Sequence, residues 1–404
     1  MSHQHHDHDH SHNESDDASP LTEVNVNPVK KKEIPAIKGF AEYIWLDSEN
    51  NVRSQLTTVS IKGELSNHHI DGASPYVKDH TKYPLLEVNG VLCGQALNDD
   101  PMIVLKPTYI APNILYQSFP YIFSVAVVCD VYTVSKDTSI LIPHCNNYRH
   151  SATAIFSEQE NVSMEPLIGI TQEYYILGEP SYNGNNNNNN NNNNTSHTQP
   201  PAIRSPIDYK NAYCYPGSFH KTIIEKHYRI CTITGIDMGS TYQCETTSQF
   251  AFQINAGTPV LVADHLLLAR FILHKIAADN GVQISYHPQL YSKEHGSGCR
   301  FRFSTKEMRE PPLGHNAVLS AMNRLYKTHS LDIKSFGKHN ELRLTGNRNS
   351  SNYNCFTWGG EVNSSVYISK TIMADKCGEF EDKRPAANCD PYCVISKIFV
   401  SQKA

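Results

Sequence analysis

Ten consecutive positions, Tyr121-Ile-Phe-Ser-Val-Ala-Val-Val-Cys-Asp130, are almost all apolar and rich in β-branched residues. The run is about half of the ~20 residues a membrane-spanning helix requires, and its composition favours a buried strand. Ala41-Glu-Tyr-Ile-Trp-Leu46 reads as a second strand. Asp264 to Asn280 is predicted to be a helix, with Leu267, Leu268, Phe271, Ile272 and Ile276 at helical spacing, Asp264 as its cap and Gly281 as its stop. His315 to Leu331 and Asp390 to Val400 read as two more, the last with Pro391 in its first turn. Short strands among long helices, without a regular βαβ rhythm, define an α+β chain.

With 404 residues the chain has room for two or three domains of about 150 residues. No apolar run is long enough to cross a bilayer, and the opening residues are polar and His-rich, so the expected location is cytoplasmic with no membrane partner. A net charge of -5 offers no basic field for nucleic acid. The 11 cysteines are odd in number and scattered singly, which favours reduced thiols over a disulfide framework. Cys389 and Cys393, four apart, have no second pair at ligand spacing to complete a zinc site.

Two segments lack hydrophobic periodicity. Residues 1–38 form a tail in which six histidines between His3 and His12 alternate with Asp7 and Asp9. This tail reads either as a weak collector of zinc, copper or nickel or as a solvated low-complexity segment. The second is the Asn185–Asn194 run, expected to form an extruded surface loop within 180–205.

From Ala41 to Ile398 the remaining segments resemble, in order and spacing, a type II, eukaryotic-type glutamine synthetase. The matching pieces are Ala41-Glu-Tyr-Ile-Trp-Leu-Asp47, Ile70-Asp-Gly-Ala-Ser74, Gly169-Ile-Thr-Gln-Glu-Tyr174, Asp264-His-Leu with Ala269-Arg-Phe-Ile-Leu-His274, Gly298-Cys-Arg-Phe-Arg-Phe-Ser304 through Glu310, Arg343-Leu-Thr-Gly346, and Phe380-Glu-Asp-Lys-Arg-Pro385 through Pro391. The resemblance implies a small N-terminal β-grasp domain over 39–136. A larger catalytic-type domain over 137–404 would follow, built on a curved antiparallel sheet with flanking helices. It also implies a ring of subunits with sites between neighbours, and an ATP-dependent ligation of ammonia to glutamate that uses Mg²⁺ or Mn²⁺.

Taken residue by residue, the same resemblance implies that most of that machinery is gone. Glu173 and Glu381 match metal ligands, but Thr171, Cys244, Ala251 and Arg300 stand where the family has its others. An arginine about 4 Å from a divalent ion costs roughly 8 kcal/mol at an effective dielectric near 20, and it cannot deprotonate to escape. Asn349 replaces the acid of the flap, here Arg348-Asn-Ser-Ser-Asn352, and no arginine occurs from Asn349 to Asp382 to hold a phosphoryl group. Glu379 replaces an adenine-stacking tyrosine, and Lys383 replaces an arginine and loses its bidentate fork. Asp71 at the ammonium position, Arg343 near glutamate, and Ser304 and Arg309 at the nucleotide are kept.

Each retained residue also has a structural reading: Glu173 and Glu381 as partners of Arg300, and Asp71 as a turn residue. The expectation is a non-catalytic member that keeps the ring-forming scaffold as a regulatory, partner-binding or small-ligand-binding protein. Such a protein could co-assemble with an active paralogue. No cofactor is expected, and ATP and glutamate binding are in doubt on the same grounds. The alternative is an active or residual glutamate–ammonia ligase using ATP with Mg²⁺ or Mn²⁺, its metal held by groups such as Cys244, Glu245 or Asp382. A third reading is a ligase-fold enzyme for another amine or acid.

Overall fold

The computed structural model describes residues 36–65, 75–116, 122–135, 137–178, 218–244, 246, 248–291, 296–347 and 350–403. The His-rich tail, the Asn185–Asn194 run, Asp71, Glu245, Arg348 and Asn349 lie outside the described residues, and so do the expectations attached to them. The described residues form a mixed α+β structure built on two sheets.

The first sheet runs β2-β1-β5-β4-β3, with β6 paired to β5: β1 (Ile37–Leu46), β2 (Val52–Ile61), β3 (Leu86–Asn89), β4 (Met102–Pro112), β5 (Phe123–Val134) and β6 (Leu141–Pro143). The β1–β5 pair is parallel and the rest are antiparallel, the arrangement of a β-grasp. The apolar run supplies central β5, whose two faces feed different cores. Val125, Val127 and Cys129 join Tyr43 and Trp45 in a core local to this sheet. Ala126 and Val128 join Ile44 and Leu46 in the main core beneath the helices. A strand covered on both sides has no use for polar alternation.

The second sheet runs β12-β13-β14-β11-β7-β9-β8, with β10 on β7: β7 (Leu167–Leu177), β8 (Met238–Gln243), β9 (Gln249–Gly257), β10 (Gln283–Ser285), β11 (Cys299–Ser304), β12 (Trp358–Gly359), β13 (Val366–Ile368) and β14 (Phe380–Asp382). Its pairings are antiparallel apart from a two-residue parallel contact of β12 with β13. One face is apolar, with Ile170, Phe252, Phe301 and Phe303 turned into the main core against the Pro259–Asp279 and Pro391–Lys403 helices.

The expected helices are present, with one correction at a terminus. The long helix begins at Pro259, with Thr258 before it, and Asp264 lies within it instead of capping it. Asp264 is 2% exposed, and its carboxylate accepts from Arg149 Nε (2.8 Å), Arg149 Nη2 (2.9 Å) and Tyr392 Oη (2.6 Å). Three charge-assisted or neutral donors satisfy a carboxylate that could not otherwise be buried there. Proline at the first position already starts the helix, because its missing N–H would have no partner in that turn. At the last helix Asp390 does act as a cap, accepting from the N–H groups of Tyr392 (2.8 Å) and Cys393 (3.1 Å).

Candidate functional site

The register of the second sheet gathers the polar residues onto the face opposite the core. Thr171 lies opposite Arg300 and Gln253, Glu173 opposite Ala251, Tyr242 opposite Ala251, and Arg302 opposite Glu381. Directly opposed residues share a face, and so do residues two apart. Thr171, Glu173, Ala251, Arg300 and Glu381 therefore sit on one surface. Lys383 continues β14 in the same sense.

Glu173 anchors the site. Its Oε2 accepts from the Gly298 N–H at 2.8 Å, and its Oε1 accepts from Arg300 Nη2 in an ion pair. The carboxylate side chain is 7% exposed and the guanidinium 37%. The Glu173 charge raises the pKa of Arg300 above the ordinary arginine value. Burial raises Glu381 and lowers Lys383, while the charge of Arg300 lowers both. Burial, opposed by Arg300, pushes the Tyr242 hydroxyl up to about 12.

The remaining candidates are placed as follows. Arg343 is committed to the backbone: Nη2 donates to the carbonyls of Lys383 (2.8 Å), Arg384 (2.8 Å) and Pro385 (2.7 Å), and burial pushes its pKa down to about 10. Arg309 and Ser304 come together, with Arg309 Nη1 donating to Ser304 Oγ at 3.0 Å and Nη2 to the Glu165 carbonyl at 2.8 Å. Lys383 Nζ donates to the Val362 carbonyl. Cys244 follows the end of β8, where its N–H bonds to the Gln249 carbonyl at 2.8 Å. Asp382, one of the alternative metal-holding groups, is ruled out by the pleat. It faces the core, is 0% exposed, and binds Arg384 through both oxygens. Reading the sequence by itself missed Tyr242 and Arg302. The alternation Arg300-Phe-Arg302-Phe was the available signal for the second, since positions two apart on a strand point the same way.

With the geometry in place, the comparisons with known proteins decide the family. A family model for the glutamine synthetase catalytic domain matches residues 146–327. Glutamine synthetase N-1 of Phaseolus vulgaris is 31% identical over 365 residues, covering 89% of this chain and 92% of that protein. The chain belongs to the glutamine synthetase family. It is also 31% identical over 367 residues to glutamine synthetase cytosolic isozyme 1-1 of Oryza sativa subsp. japonica, covering 89% of this chain and 93% of that one. Glutamine synthetase of Agaricus bisporus is 30% identical over 363 residues, covering 89% and 91%.

Divalent cations are part of the chemistry that this glutamine synthetase fold implies, and the described residues do not fit one. Both oxygens of Glu173 are engaged, one by a backbone N–H and one by a guanidinium. Among the described residues no group of three or more His, Cys, Asp or Glu side chains is placed to hold a metal. Arg300 brings fixed positive charge to the carboxylate that a cation would need.

Proposed function

We propose that this chain is a glutamine synthetase-family protein that does not join ammonia to glutamate and serves instead as a scaffold for partners or small ligands. The observation that carries this reading is the Arg300–Glu173 pair, closed from behind by the Gly298 N–H. A guanidinium there supplies permanently the positive charge for which the reaction would need an exchangeable ion. It neutralises Glu173 without offering an open coordination position. The loss of the flap acid and of the phosphate arginines between Asn349 and Asp382 bears on the same step.

The same reading includes assembly. The segments that resemble the family scaffold span Ala41 to Pro391, and we expect a closed ring of about five or more chains, alone or mixed with an active paralogue. Sedimentation of the full chain at micromolar concentration should show the ring, and monomer alone would count against it. A cytosolic location is part of the proposal, supported by the relative named a cytosolic isozyme.

Identity of 30–31% to proteins named glutamine synthetase favours a second reading, an ATP-dependent glutamate–ammonia ligase requiring Mg²⁺ or Mn²⁺. One measurement separates the two. Purified full-length protein is given ATP, glutamate, ammonium and either cation, and phosphate release is followed. Release no faster than without glutamate supports the scaffold, whereas glutamate- and ammonium-dependent release establishes the ligase.

A further inference from the structure

On the core side of the second sheet, away from Arg300, a cleft of about 390 Å³ opens beside the Glu49–Val52 turn that joins β1 to β2. Lys338, His287, His339 and Asn388 face that turn, and Arg270 forms part of the wall. Arg270 makes the cleft unusual.

Arg149 and Arg384 are also buried, and each meets a carboxylate: Asp264 at 2.8 Å for the first, Asp382 at 2.6 Å for the second. Arg270 is 1% exposed, yet its acceptors are all neutral. Nε and Nη2 donate to Gln172 Oε1 at 3.0 and 2.6 Å, Nη1 to the Cys389 carbonyl at 2.9 Å, and Nη2 to the Ala387 carbonyl at 2.9 Å. Four of its five N–H donors are thereby used, but no described carboxylate pairs with its charge. The Asp390 carboxylate acts on Arg270 only at longer range and the Tyr286 ring lies 5.2 Å from its guanidinium, so the buried cation has no partner at ion-pair distance and polarises whatever enters the adjoining space.

Lys338 adds a second cation to the lining, while Asn50, Asn51, Ser285, His287 and His339 add polar groups and burial beside Arg270 holds His274 down to about 4, in its neutral form. The single carboxylate, Glu49, is already taken by Lys338 Nζ, in a pair whose side chains are 59% and 45% exposed. That pair is the one contact at the rim that an incoming anion could exchange.

We propose that this cleft binds a small oxyanion, the phosphate or carboxylate group of a small molecule, whose charge balances Arg270 and replaces Glu49 at Lys338. Because β1 and β2 belong to the first sheet while Lys338 and His287 come from the second half of the chain, an occupant would tie the two halves together. This site lies apart from Arg300, and its existence does not depend on whether the polar face of the sheet is catalytic.

The test titrates full-length protein with inorganic phosphate and, separately, with succinate, at constant ionic strength set by chloride. Melting temperature and heat of binding are read together. Saturable binding of at least one probe is expected, and the tighter of the two assigns the group. Lys338→Met should weaken binding about tenfold, the scale of one charge-assisted hydrogen bond. Glu49→Gln should tighten it, by roughly threefold, because it removes the competing carboxylate. Glu225→Gln deletes the same charge on an exposed helix position that pairs with Lys221, and it should leave the affinity unchanged. Absence of saturable binding, equal affinity in Lys338→Met, or equal tightening in Glu225→Gln would each overturn the proposal.

Discussion

Glu381 and Asp382 are adjacent in β14 and point to opposite faces of one sheet, each towards an arginine. On the core face Asp382 is 0% exposed and grips Arg384, whose guanidinium lies over Phe336 at 5.0 Å and Phe356 at 5.2 Å. On the polar face Arg300 is 37% exposed, pairs with Glu173, and exerts only a longer-range pull on Glu381. The core pair is wedged into packing that the helices need. The polar-face pair stands at the solvent edge, where a residue can be exchanged without moving a strand. The pleat therefore assigns the core packing and the polar site residues to different faces of one sheet.

The comparison is broken most severely from the core side. Asp382→Ala leaves Arg384 buried without its partner, and denaturant unfolding should show a loss of about 4 kcal/mol, typical of a severed buried ion pair. Arg300→Ala should cost less, roughly 3 kcal/mol or below, because the guanidinium is 37% exposed and water can reach Glu173 once it is gone. If the two losses were equal, the distinction between the faces would fail.

How legible these faces were in the sequence follows from the same pleat. Apolar runs and helical spacing were enough to place β5, β1 and three of the helices, since burial leaves a trace in residue type, whereas β7 was visible only through the family resemblance. The long helix was misjudged at its start because Asp264 looks like a cap, and only the remote Arg149 explains a buried aspartate in mid-helix. The partnership of Glu173 with Arg300 could be anticipated from the family resemblance. The capture of Arg343 by three successive carbonyls could not, because a backbone acceptor has no sequence signature. Arg270 was visible only as part of a helix motif, since the lack of a carboxylate at ion-pair distance can be recognised only in three dimensions.

The polar face can also be sharpened by restoring what the sequence lacks. Replacing Arg300 with His, together with Thr171→Glu, Cys244→Glu and Ala251→Glu, should create cation-dependent stability. A metal bound only by the native state adds about 2.7 kcal/mol at one hundred times its dissociation constant. The unmodified chain should show no melting shift with millimolar Mg²⁺ or Mn²⁺. A clear shift in the unmodified chain that disappears in Glu173→Gln would favour the ligase reading. The restored variant should gain the shift before any activity, because the proposal puts Asn349 where the family has its flap acid.

The smallest effect concerns protons, and it tests whether the core side excludes charge in both directions. Burial lowers His227 from its ordinary value to about 4, and raises Asp390 to about 6. His227 is charged more readily when unfolded, so its contribution is present above about pH 6.5 and is lost as pH falls through 4. Asp390 holds its proton more tightly when folded, so its contribution is complete below the unfolded carboxylate value near 3.8 and is lost as pH rises through 6. Between pH 7 and 5 the two run in opposite directions, Asp390 gaining about 1 kcal/mol while His227 gives up a little more. Asp390→Asn keeps an oxygen for the Tyr392 and Cys393 N–H groups but cannot titrate. Its stability should therefore fall by about 1 kcal/mol more than that of the parent chain over that interval, measured by urea unfolding at both pH values. Parallel pH profiles for the two proteins would mean that Asp390 is ionised in the folded state, and that the core side tolerates charge the way the polar face does.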